Sequence, residues 1–243
     1  MKALIRFAMI SLAIAGLTSI VALTQKVSAQ RDTSGVRTRA IRMKYETGKV
    51  DGMRIIVYLM DGDKALAVDP SRSFKKGDQI KIEFESNFDG YVYFVNVAPS
   101  GKSAVIYPDR RAGETNNMIR ERQRYVLPHS APFEFDEEKG TEVLQVIMSR
   151  RAVPLFEDAI RNSRGELGTT ASTAAAELMG VESKRSGIDT ANTQRILPPE
   201  MRARSVRLAP AGNNDEKGTV IAVPDTKLKP GEVAVFEIRL RHV

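Results

Sequence analysis

The chain has 243 residues, a formal charge of +7, two histidines, and neither cysteine nor tryptophan. Disulfides, thiolate nucleophiles and cysteine-ligated zinc are therefore excluded, and two histidines alone do not make a usual zinc shell. The length suffices to bury a core without covalent staples.

Residues 1–29 carry Lys2 and Arg6, then an uncharged run over 7–25, then Val27-Ser28-Ala29. That order predicts a secretory signal peptide cleaved after Ala29, and so a periplasmic or extracellular location. The run is also about long enough to span a bilayer, so an uncleaved N-terminal anchor is the alternative. Cleavage removes Lys2, Arg6 and Lys26 and no acid, which lowers the formal charge from +7 to +4. A balance that mild gives no support to nucleic-acid binding. Residues 30–52 begin with Arg31, Arg37, Arg39, Arg42 and Lys44 in a nearly aperiodic stretch, which reads as a basic flexible arm.

From residue 53 the hydrophobic period is two. Residues 53–60 form a strand candidate, and Asp61-Gly62-Asp63 turns into a second strand over 64–68. Ile80, Ile82 and Phe84 alternate with Gln79, Lys81, Glu83 and Glu85, the pattern of a strand with one dry and one wet face. Residues 90–97, GYVYFVNV, lack alternation, as a central strand covered on both faces does. A Pro99-Ser100-Gly101 turn leads into 102–107, which should pair back as a hairpin. Further strands are expected over 122–128, 131–135 and 141–149. Leu155, Phe156, Ala159 and Ile160 then mark one short amphipathic helix. Residues 163–217 read as a long, low-complexity, flexible insertion, and 218–243 as the strands that complete the module begun at 53–162. Strands of this length and spacing, with Gly, Asn, Asp and Pro between them, predict an all-β fold: an antiparallel sandwich or barrel-like module.

Residues 74–160 also resemble the bacterial domain-of-unknown-function 4384 family. The landmarks are Phe74 to Ile80 with Gly77-Asp78, and Ser86 to Tyr93 with Asn87, Asp89, Gly90, Tyr91 and Tyr93. They continue through Ile106-Tyr107-Pro108, Asn117, Tyr125 to Pro128, Phe133 to Glu137, Gly140-Thr141-Glu142 and Ile147 to Arg150. The resemblance implies a small all-β module, found behind export signals or appended to catalytic domains such as protein kinases and caspase-like peptidases. It implies no catalytic residue and no cofactor. The landmarks also suit turns and strand ends. Asn87 and Asp89 are expected to cap turn backbone, Gly90 to take a positive φ, Gly140 to do the same for its own turn, and Pro108 to end a strand.

No catalytic constellation is legible. His129 is expected in an exposed turn, and His242 at a fraying terminus. The acids at 61–63 and 134–138 lack the spacing of a calcium loop. The remaining candidate is a cationic rim of Arg110, Arg111, Arg150 and Arg151, suited to carboxylate or phosphate polymers. The functional expectation is an exported, non-enzymatic binding module whose partner is an envelope protein or anionic polymer, with membrane contact only if the N-terminal segment is retained. A hydrolase built from scattered Asp, Glu and Ser, and a membrane-tethered accessory protein, are the alternatives.

Overall fold

The computed structural model describes residues 34–109, 116–162, 202–204, 206–210 and 218–243. The expected signal peptide, Arg110, Arg111 and most of the expected insertion lie outside them. Helix α1 (Ser34–Glu46) precedes β1 (Met53–Asp61), β2 (Lys64–Val68), β3 (Ser73–Phe74), β4 (Gln79–Ser86), β5 (Gly90–Val97) and β6 (Ser103–Tyr107). Then come β7 (Met118–Ile119), β8 (Arg124–Leu127), β9 (Phe133–Glu134), β10 (Gly140–Ser149) and α2 (Pro154–Asn162). The last strands are β11 (Arg202–Arg204), β12 (Val206–Pro210), β13 (Thr219–Pro224) and β14 (Glu232–His242).

These strands make two sheets. One runs β12-β13-β1-β4-β8, with β2 also on β1 and β9 also on β4. The other runs β11-β14-β10-β5-β6, with β3 on β14 and β7 on β5. Pairing is antiparallel throughout, except that β3 and β11 lie parallel to β14. The all-β sandwich expected from the period-two segments is thus the fold.

Alternation along the strands explains the core. Ile80, Ile82 and Phe84 of β4 turn inward beside Met53, Ile55 and Val57 of β1, while Val92 and Phe94 of β5 and Val146 and Met148 of β10 belong to the same buried cluster. Phe84 and Phe94 meet across the sandwich with centroids 4.9 Å apart, and Tyr125 stacks on Phe84 at 5.1 Å. Each such buried side chain contributes about 1.5–3 kcal/mol of transfer free energy.

Each sheet has a helix on its outer face. Phe156 of α2 packs on Tyr93 of β5 at 5.1 Å, which is why β5 reads as apolar on both faces. On the other side Ile41 and Tyr45 of α1, with Val50, pack on Ile221 and Val223 of β13.

Two expectations change here. Residues 34–52 are not a flexible arm: 34–46 are helical, and Tyr45, Val50 and Asp51 are buried. Ile41 and Tyr45 stand four apart and share a helix face, a short apolar stripe that the surrounding arginines obscure in the sequence. The helix ends in a Schellman motif, with Gly48 N–H donating to Tyr45 O and Lys49 N–H to Lys44 O. Gly48 supplies the left-handed conformation that this motif needs, at φ 61°. Second, residues 202–204 and 206–210, placed in the expected insertion, are strands β11 and β12, one in each sheet. Their composition hides this because short edge strands need little apolar surface of their own.

Candidate functional site

Most of the family landmarks are internal fastenings. Asn87 is 6 % exposed. Its Oδ1 accepts from Gly52 N at 2.7 Å, and its Nδ2 donates to Tyr45 O at 2.7 Å and Val50 O at 2.9 Å. It therefore ties the β4–β5 turn to the segment leaving α1, rather than capping its own turn. Asp89 likewise reaches away, accepting from Glu121 N at 2.7 Å. Asp78 does cap locally, accepting from Lys75 N at 3.0 Å. Gly90 does not take a positive φ. It must be glycine for space, since a Cβ there would stand 2.4 Å from Ser149 O and 2.6 Å from the Phe88 ring.

Of the expected cationic rim, Arg150 is engaged inward. Its Nε and Nη2 donate to the two carboxylate oxygens of Asp51, at 3.0 and 2.7 Å, and its guanidinium lies over the Phe88 ring. Asp51 is 2 % exposed and also accepts from Leu228 N at 2.8 Å. Arg151 is exposed. Sequence reasoning missed Asp51; an acid directly after Val50 and before a strand was the available signal.

A second buried polar group holds α2. Tyr93 Oη donates to Glu157 at 2.6 Å and accepts from Val153 N at 2.8 Å, while Asn117 Nδ2 donates to the same Glu157 oxygen at 3.1 Å. Burial, then the bond to Glu157, pushes the Tyr93 hydroxyl well above its ordinary range. These groups satisfy one another, which suits an anchor for α2.

Both histidines are now placed. His129 is exposed, but His242 is 3 % exposed and does not fray. It lies 2.7 Å from Glu138 O through Nδ1 and packs on Phe135, because β14 continues in register with β10 to its last residues. Nearby Glu142 accepts from Asn96 Nδ2 at 2.8 Å, and burial, with Asp136 and Glu138 adding to it, raises its pKa. The folded state therefore binds more protons than the unfolded chain just above the ordinary glutamate range, and stability falls as pH rises through that window. Glu142→Gln keeps an acceptor for Asn96. It should flatten this slope and raise the urea midpoint at pH 7 relative to wild type; parallel pH profiles would contradict the assignment.

Exposed cations lie on several parts of the surface, among them Lys64, Lys102, Lys139, Arg151 and Arg241, and one group lies on α1 and its surroundings. Arg37, Arg39 and Lys49 are exposed, Lys44 is half-buried, and none of them pairs with an acid among the described residues. Arg122 and Arg124 extend the cationic surface, partly balanced by Glu83 and Glu85. Arg122 locks α1 onto the sheet: its Nη2 donates to Glu46 O at 3.1 Å and its guanidinium lies 5.1 Å from the Tyr45 ring centroid. It does so from a left-handed backbone at φ 61°, unusual for a side chain of this kind. A cation on the last carbonyls also suits the helix dipole. Burial and Glu85 push the Tyr45 hydroxyl well up.

Among the described residues no group of three His, Asp or Glu side chains is placed to hold a metal ion. Residues 73–152 match the family model described as Domain of unknown function (DUF4384). Searches of curated proteins and of solved structures found no match.

Proposed function

With residues 73–152 matching the family model described as Domain of unknown function (DUF4384), we propose that the chain is an exported, non-enzymatic β-sandwich module that binds an anionic component of the cell envelope. The observation that carries this reading is the cationic face of α1. Arg37 and Arg39 stand exposed on a helix that is fixed to the sandwich by Tyr45, Asn87 and Arg122, and Lys49 stands exposed just past its end. Rigid placement matters because a charged surface held in one geometry loses little conformational entropy on binding. The landmark residues supply the scaffold, and the helix supplies the contact.

The export order of residues 1–29 supports the location. Fractionation of expressing cells tests both parts. The chain is expected in the envelope fraction, beginning at Gln30 by mass spectrometry and released by salt, since screening weakens exposed charge pairs. A cytosolic chain beginning at Met1, or envelope association indifferent to salt, would overturn the reading.

A further inference from the structure

The outward face of α1 is not uniformly polar. At 100° per residue, Ala40 and Met43 point opposite to the docked Ile41 and Tyr45, with Arg39 on one flank and Arg37 and Lys44 on the other. Ala40 is exposed, and Met43 is 55 % exposed. A cationic surface made to grip a soluble polyanion gains nothing from a methionine at its centre. A surface made for a bilayer does: the thioether enters the interfacial layer while the flanking cations reach the headgroup phosphates. Glu46, the one acid of α1, is occupied by Arg42 at 2.7 Å.

The sequence around the helix agrees. Only residues 26–33 separate α1 from the uncharged run 7–25, a reach of about 30 Å at full extension. If that run enters a membrane, α1 begins within this reach of its surface.

We propose that this face of α1 docks on bilayers rich in anionic phospholipid, with Arg37, Arg39 and Lys44 at headgroup phosphates and Met43 in the interface. The inference rests on the reading of α1 as the binding surface and names its partner.

Vesicle co-sedimentation tests it, using the processed chain purified from expressing cells. The chain should bind phosphatidylglycerol–phosphatidylcholine vesicles, ignore pure phosphatidylcholine, and come off in high salt. Each cation removed should lower partitioning roughly fivefold, so Arg37→Glu/Arg39→Glu should lower it by more than about a hundredfold. Acids near the start of a helix favour its dipole, so that variant should keep the wild-type melting temperature. Met43→Ser should weaken binding severalfold without affecting folding. Equal binding to both vesicle types, or binding untouched by the double reversal, would overturn the proposal. Binding to soluble polyphosphate with none to vesicles would overturn the lipid assignment and leave the anionic-partner reading standing. Binding to neither would remove both.

Discussion

Asp51→Ala is expected to destabilise the fold by about 3 kcal/mol, the lower part of the range for breaking a buried ion pair. The carboxylate is 2 % exposed and joins three segments: the stretch after α1, the end of β10 through Arg150, and the β13–β14 loop through Leu228 N. Removing it leaves the Leu228 N–H and the Arg150 guanidinium without their acceptor, and an unpaired buried donor costs more than the bond itself contributes. The figure stays at the lower end because Arg150 keeps 33 % of its side chain in water. Urea denaturation measures the loss. Arg150→Met in the Asp51→Ala background should add less than it does alone, since the pair acts as a unit. A loss under about 1 kcal/mol would mean that the junction is solvated.

Gly90→Ala is the second large effect, expected at about 3 kcal/mol or more, at or above the usual range for overpacking. The new methyl would meet the Ser149 carbonyl at 2.4 Å and the Phe88 ring at 2.6 Å. Neither yields easily. Ser149 is fixed by pairing to Tyr91 on one side and Val233 on the other, and Phe88 is 2 % exposed beneath the Arg150 guanidinium. The start of β5 would have to move away from the end of β10 and loosen their pairing there. A melting temperature near wild type would contradict the close approach.

These two residues show what was legible in the sequence and what was not. The alternation of Ile80, Ile82 and Phe84 gives β4 and its inward face directly, because a period of two admits one arrangement on a half-buried strand. The apolar run of β5 announces cover on both faces, though not that α2 provides it. Gly90 is recognisable as a required glycine, but its reason lies in the distant Ser149, and sequence spacing carries no tertiary distance. Helix α1 was hidden for a related reason: its two docking residues, Ile41 and Tyr45, sit among cations that dominate any compositional reading. Strands β11 and β12 owe their order to neighbours β14 and β13, not to their own pattern. Arg150 looks like surface charge until Asp51, 99 positions away, is seen beside it. The site was therefore less legible than the fold, since the fold repeats its signal along each strand and the site does not.

In the proposed reading, the landmark residues of β4, β5 and β10 hold the sandwich and α1 is the element that meets the partner. Hydrogen–deuterium exchange of the processed chain, with and without anionic vesicles, tests it most directly. Added protection is expected over residues 34–49 and 120–126, with none at 86–91 or 147–153. Protection concentrated at 86–91 and 147–153, with α1 unchanged, would contradict it.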